Sequence, residues 1–239
     1  MSKTQIPTGG ITADAINGTL IADDAINSEH YTDGSIDTAH IGDSQVTSAK
    51  TSGVGGIVKV GNQYSTSSAS TITLDGVFTS SYGIYRVIGY FILGTDGAGI
   101  ELQLRNASNA NFANSSDEYR SFSAGHRITS SSDTVESFTN GDYAASHWKV
   151  NFGAESNAVD APVCLDMMFY DPLQAAVSGK NAHWRCSHHG NDAKHYYHYG
   201  AGQYTTNTGD AAGFQLAPSS GTFSRHKVTV YAFAGSNAA

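Results

Sequence analysis

The chain has 239 residues, which suits one medium-sized domain or one domain with an appendage. Only 14% of the residues are charged, against about 25% in ordinary soluble domains, and the formal net charge is −8. This balance excludes the basic footprint of a nucleic-acid binder, and no apolar run reaches the roughly 18 residues of a membrane span. Residues 1–5 lack the apolar segment of a signal peptide, so we expect synthesis and folding in a cytoplasm.

Residues 6–50 form a repeat with a period of five, written IPTGG, ITADA, INGTL, IADDA, INSEH, YTDGS, IDTAH, IGDSQ and VTSAK. An apolar or aromatic residue opens every unit, and internal repeats of this kind indicate a repetitive architecture. The opening positions are Ile6, Ile11, Ile16, Ile21, Ile26, Tyr31, Ile36, Ile41 and Val46.

A period of five fits neither an α-helix, where the isoleucines would spiral around the axis, nor a flat strand, where they would alternate between faces. The chain must therefore bend or twist once per unit. A single-chain solenoid is disfavoured because Asp14, Asp24 and Glu29 occupy positions that would point inward. One isoleucine per unit is also too little apolar surface for a lone chain. We therefore predict a thin fibre of several chains, usually three. A disordered polar tail is the alternative, and it has no reason to hold nine units in phase.

Residues 51–56 break the repeat and read as a linker, and residues 57–239 carry the alternating rows that are typical of half-buried strands. Residues 84–93 (IYRVIGYFIL) look like a buried strand, and the alternating rows are Ile100-Leu102-Leu104, Trp148-Val150-Phe152, Val163-Leu165-Met167-Phe169 and Val228-Val230-Ala232. The predicted fold is therefore all-β: a repeat shaft over 1–50, and a β-sandwich or jelly-roll-like head of eight to ten strands over 57–239.

Both halves resemble proteins of phage particles. Units such as ITADA, IADDA and VTSAK resemble the shafts of phage fibre proteins, notably from marine phages. The stretches 78–86 (FTSSYGIYR), 95–105 (TDGAGIELQLR) and 220–224 (SGTFS), the last leading into 228–233, are similar to a β-domain that recurs in phage tail proteins. The resemblance implies a homotrimeric fibre whose N-terminal end faces the virion and whose head points outward, on either tail or capsid.

The sequence contains no convincing catalytic motif: it has no phosphate-binding loop, no G-x-S-x-G and no H-E-x-x-H. The carboxylates Glu155, Asp160, Asp166 and Asp171 are near one another in sequence, but a cross-strand polar role is the simpler account of Asp166. Cys164 and Cys186 are too few for a disulfide scaffold, and we expect both to be buried thiols in strands.

The segment 183–199 (HWRCSHHGNDAKHYYHY) concentrates aromatic and imidazole side chains. In one interpretation it binds a surface glycan through His183, Trp184, Tyr196, Tyr197 and Tyr199, because aromatic faces pack on sugar rings and polar groups supply hydrogen bonds. In a second interpretation, His188, His189, His195 and His198 bind a metal, although adjacent histidines on a strand point to opposite faces. In a third, the segment packs between subunits or faces water.

We therefore expect a non-enzymatic homotrimeric fibre protein of the virion, a tail fibre, with no cofactor. Its N-terminal region docks to a tail or capsid protein, and its head attaches the particle to a host-surface glycan or protein by multivalent contact. The alternatives are a capsid fibre or decoration protein and, in the enzyme class, a polysaccharide depolymerase with two carboxylates about 5–9.5 Å apart.

Overall fold

The computed structural model describes residues 9–12, 15–17, 19–21, 25–26, 28–42, 45–46, 56–112, 119–129, 134–151, 161–174, 180–205 and 209–233. The chain divides into two compact units, Met1–Thr51 and Ser52–Ala239. Within the described ranges it contains strands and two short 3₁₀ turns, at Ser28–His30 and Thr38–His40, but no α-helix.

The same hydrogen-bonded turn closes five of the pentads in Met1–Thr51. In each, the backbone N–H of the fifth residue donates to the carbonyl of the second, with N···O distances of 2.9 to 3.2 Å. The donor and acceptor pairs are Ala15 and Thr12, Leu20 and Asn17, Ser35 and Thr32, His40 and Asp37, and Gln45 and Gly42. A four-residue turn plus one connecting residue gives the period of five. The predicted bend once per unit is therefore present in these five units.

Side chains at the second position support the turn. The Oδ1 atom of Asn17 accepts the N–H of Thr19 at 3.1 Å, and the Oδ1 atom of Asp37 accepts the N–H of Ala39 at 2.9 Å. Short polar side chains commonly bond the backbone two residues on, and this stabilises turns. The polar composition of the pentads thus serves the backbone geometry.

The opening residue of each described pentad is exposed in the single chain. The exposed fraction runs from 37% at Ile21 to 55% at Val46, and the set comprises Ile11, Ile16, Ile21, Ile26, Tyr31, Ile36, Ile41 and Val46. Ile6 lies outside the described residues. The burial of these side chains in a core shared by several chains stays a prediction.

The unit Ser52–Ala239 contains twelve strands in its described part. They are β1 (Ile57–Ser65), β2 (Ile72–Leu74), β3 (Ile84–Leu93), β4 (Ile100–Asn106), β5 (Tyr119–Thr129), β6 (Val135–Ala145), β7 (Trp148–Lys149), β8 (Val163–Tyr170), β9 (Lys180–His189), β10 (Lys194–Tyr204), β11 (Ala211–Pro218) and β12 (Phe223–Phe233). An eight-stranded sheet has the order β1-β12-β3-β8-β9-β10-β5-β6, and a four-stranded sheet has the order β2-β11-β4-β7. All strand pairs are antiparallel.

The core lies between the two sheets, because alternate residues of their strands point inward. Ile100, Leu102 and Leu104 of the small sheet are fully buried, and so are Val163 and Met167 of the large one. The predicted rows in β4, β8 and β12 and their burial are confirmed. Residues 84–93 form the strand β3, but it is half-buried and not buried throughout, since Ile88 is 44% exposed. Trp148 and Val150 are buried, although only Trp148–Lys149 is a strand, and Phe152 lies outside the described residues. The unit is therefore all-β, with two antiparallel sheets in an arrangement consistent with a β-sandwich.

Two aromatic side chains connect the sheets directly. Trp148 of β7 packs over Gly202 of β10, and its indole Nε1–H donates to the carbonyl of Gln203 at 3.1 Å. The hydroxyl of Tyr119 in β5 accepts the backbone N–H of Leu104 in β4 at 2.9 Å. Both side chains are fully buried, so these polar contacts fix the position of one sheet over the other.

Candidate functional site

The His/Tyr segment folds as the antiparallel hairpin β9–β10. Its tip is closed by the N–H of Gly190, which donates to the carbonyl of Lys194 at 2.7 Å, and Ala193 takes a left-handed conformation with φ of 60°. Because side chains alternate along a strand, the hairpin divides the segment between two faces. One faces the core, and the other, which we call the outer face, points away from the four-stranded sheet.

The five predicted ligand-binding residues are split by this alternation. His183, Tyr197 and Tyr199 lie on the outer face, where each of the two tyrosines is 43% exposed. Trp184 is 1% exposed in the core, and Tyr196 is buried on the inner side. A surface site can therefore use three of the five, and the period-two rule applied to the segment would have separated them.

The four histidines considered as metal ligands form two pairs on opposite faces. The rings of His188 and His198 stack on the inner side with their centroids 5.0 Å apart, and those of His189 and His195 meet edge to face on the outer side at 4.7 Å. Among the residues that the structure describes, no group of three or more His, Cys, Asp or Glu side chains is placed to hold a metal ion.

The inner histidine pair is part of the packing. His188 stacks on Tyr196 with centroids 4.8 Å apart, and the edge of Phe138 meets His198 at 4.9 Å. Burial lowers the pKa of His188 to about 3, helped by the neighbouring His198, and burial lowers the pKa of His198 to about 4. Both imidazoles are therefore neutral at pH 7.

The outer face holds a shallow depression of about 640 Å³, here called the Phe122 groove. Its floor is made of small residues such as Gly141 and Ala201. Around them stand Arg120, Phe122, Tyr170, Asn181, His183 and Gln203. Phe122 is 52% exposed, and the hydroxyl of Tyr170 and Nε2 of His183 form a hydrogen bond of 3.2 Å.

Sequence reasoning found His183 in this groove but missed Phe122 and Tyr170. Tyr170 ends a row whose alternate members are core residues, so its outward direction was readable from the pattern. Phe122 lies in β5, whose Ser and Gly residues hide the alternation. Its proximity to His183 depends on the pairing of β5 with β10 at Ala201, which no local pattern specifies.

A second depression of about 450 Å³, the Asp166 groove, lies beside Ile88, Cys164, Asp166, Arg185 and Tyr197. Asp166 accepts hydrogen bonds from Arg86 on β3, at 2.8 and 2.9 Å, and from Arg185 on β9, at 2.9 Å. The bond to Arg86 is the main reason that the pKa of Asp166 is lowered, and the bond to Arg185 lowers it further. The expected cross-strand polar role of Asp166 is thus confirmed.

This ion-pair arrangement is unlike that of a catalytic acid, whose pKa is raised. Asp166 lies within β8, whereas Asp171 lies just beyond the end of the strand with φ of 42°. Glu155 and Asp160 lie outside the described residues.

One of the two cysteine predictions is wrong. Cys186 is buried in β9 as expected, but Cys164 is exposed on β8, and neither is in a disulfide. Cys164 occupies an outward position that alternates with the core residues Val163 and Leu165. The strand assignment was right, and the direction of the side chain was misjudged.

Comparison with protein-family models, with curated proteins and with solved structures gave no match. In the described part of the chain, no helix has the length and apolar character needed to cross a membrane.

Proposed function

We propose that the protein is a structural fibre protein of a phage particle, in which the pentads assemble three chains and the β-rich head attaches the particle to a host surface. One observation carries the proposal: the repeated turn leaves one exposed apolar side chain at every fifth residue. A soluble chain has no reason to keep such a series in register unless the side chains meet a partner with the same period. Another copy of the chain has that period.

Self-association can bury these apolar side chains, which the single chain leaves exposed. Burial of the exposed half of an isoleucine side chain stabilises by about 1 kcal/mol, and three chains around one axis can bury each layer together. The side chains of Asn17 and Asp37 are already bonded to the backbone of their own turns, and the exposed polar residues of the pentads can face water. In this proposal residues 1–50 also dock to a tail or capsid protein of the virion.

The head supplies the surface for attachment. Its outer face presents exposed aromatic side chains beside two shallow grooves, which are features of ligand-binding surfaces. Three such faces on one stalk, and several stalks on a particle, would raise weak contacts by about 10²–10⁴. The resemblance of the pentads to phage fibre shafts supports the same proposal.

The assembly is tested by the solution mass of the full-length protein, measured by light scattering, beside a chain that begins at Thr51. We expect a trimer that weakens or dissociates without the repeat. In the full chain, Ile21→Asn should weaken the assembly. Leu20→Asn is the matched control, because Leu20 is 64% exposed but stands outside the repeating position. A full-length monomer at micromolar concentration would overturn the proposal.

Attachment is tested separately. Labelled full-length protein should bind host cells and reduce adsorption of the particles that carry it. Binding that is equally strong for the chain beginning at Thr51, as a monomer, would contradict the multivalent mechanism.

A further inference from the structure

The described charged side chains of the outer face are mostly basic, whereas the chain as a whole is acidic. Six basic side chains point outward from the strands of the large sheet: Lys59, Arg86, Arg120, Arg185, Arg225 and Lys227. Among the described side chains of that face, Asp166 is the one carboxylate. Counted over these described side chains alone, six bases and one acid give a formal charge of +5, whereas the chain as a whole carries −8.

Aromatic side chains lie among these charges. Phe122 and Tyr170 flank the Phe122 groove, and Tyr197 borders the Asp166 groove. The hydrogen bond between Tyr170 and His183 fixes the two rings relative to each other at 3.2 Å between Oη and Nε2. Exposed, fixed aromatic faces over a floor of small residues are suited to the apolar face of a sugar ring.

The two grooves are neighbours along one strand. His183 lines the first and Ser187 the second, and four residues of β9 separate them, which is about 13 Å. A ligand with several sugar units in line can therefore contact both. This arrangement favours a polymer over a single small molecule.

The density of charge favours a polysaccharide over a nucleic acid. The six bases lie on five strands between β1 and β5, a span of about 29 Å across the sheet, and Asp166 already pairs with Arg86 and Arg185. Duplex DNA carries one charge per about 1.7 Å, and a chain of net charge −8 repels so dense a polyanion. A sugar polymer with one anionic group per unit or fewer matches the wider spacing.

We propose that the outer face of the eight-stranded sheet binds an acidic polysaccharide, with Phe122, Tyr170 and His183 holding one sugar ring and the basic side chains that line the two grooves, Arg120 at the first and Arg185 at the second, pairing with its carboxylate or sulfate groups. This inference rests on the proposed function, since it names the ligand class and the site that the head uses for attachment.

The test measures binding of the full-length protein to immobilised alginate, which has one carboxylate per sugar unit, to a dextran sulfate with at most one sulfate per unit, and to uncharged dextran. We expect binding to one or both acidic polymers, weakening as salt is raised, and no binding to dextran. Phe122→Ala should weaken binding about tenfold, and Arg120→Gln should reduce both the affinity and its salt dependence. Tyr64→Ala is the matched control, since Tyr64 is a 62% exposed aromatic residue on the far edge strand, and it should leave binding within about twofold.

Several results would overturn the inference: equal binding to dextran, an unchanged affinity of Phe122→Ala, or tighter binding of single-stranded DNA at 150 mM salt. Attachment to host cells separates the two proposals. If wild type and Phe122→Ala attach equally well, the site is wrong and the proposed function stands. If the protein binds acidic polymers but never attaches to host cells, the site stands and the proposed function fails.

Discussion

The close contact between Trp148 and Gly202 predicts that a single methyl group added at position 202 lowers the stability of the fold. A β-carbon on Gly202 would lie 2.7 Å from ring atoms Cδ2 and Cε2 of Trp148 and 2.8 Å from Nε1. Non-bonded carbon atoms normally stand about 3.5–4.0 Å apart, so Gly202→Ala requires a displacement of about 1 Å. Trp148 is fully buried and its Nε1–H is bonded to the carbonyl of Gln203, so the ring cannot move away without losing that bond.

The size of the effect follows from overpacking. Extra methylene-sized groups in a well-packed core cost about 1–3 kcal/mol. For a domain of this size, each kcal/mol lowers the melting temperature by about 2–4 °C. We therefore expect Gly202→Ala to lower the melting temperature by about 2–12 °C, through separation of the two sheets.

Thermal unfolding followed by circular dichroism measures this effect, at one protein concentration because self-association changes the melting temperature. Gly141→Ala is the matched control: Gly141 lies in β6, and its added β-carbon comes no closer than 4.0 Å to another atom, the carbonyl oxygen of Ser121. It carries the same gain in chain stiffness without the clash. Equal melting temperatures for the Gly202→Ala and Gly141→Ala proteins would refute the packing argument.

Three further predictions concern single side chains of the head. Burial lowers the pKa of His188 to about 3, so below pH 6.5 the unfolded chain binds a proton at this residue that the folded chain does not. In denaturant titrations, the wild type should therefore lose about 2 kcal/mol more stability than His188→Phe between pH 7 and pH 5. Parallel pH profiles of the two proteins would contradict this. Asp166→Asn should be less stable than the wild type at pH 7. The difference in unfolding free energy between the two proteins should disappear as the pH falls below about 4, through the lowered pKa of Asp166, because the carboxylate is then protonated. A difference that persists at pH 2 would count against the ion-pair explanation. A thiol reagent should titrate Cys164 in the folded protein and Cys186 only after denaturation, and simultaneous reaction of both thiols would show that the outward direction of Cys164 is wrong.

Local patterns predicted the strands whose inward residues are aliphatic. The row Ile100-Leu102-Leu104 alternates in the sequence and is buried as β4, because one apolar residue in two is the mark of a half-buried strand. β5 and β6 carry no such row, since Ser, Gly and Thr occupy many of their positions. The count of eight to ten strands was therefore too low, and twelve lie in the described part of the chain.

The candidate site could be predicted only in part. His183, Tyr197 and Tyr199 belong to a segment that its composition made conspicuous, but Phe122 and Tyr170 reach the same groove through strands far apart in sequence. Long-range pairing is set by the whole packing of the sheet and not by any short stretch. The charge of the outer face was hidden for the same reason, because its bases are scattered from Lys59 to Lys227.

The turn that closes the five pentads described above also bears on how the chain can vary in length. Its hydrogen bond joins the second and fifth residues of one unit and involves no neighbour, as between Asp37 and His40. Removal or duplication of a whole unit therefore leaves every other turn intact and keeps the isoleucines in phase. Selection can lengthen or shorten the segment in steps of five residues without a new fold, whereas a change of any other number would shift the phase of every unit beyond it.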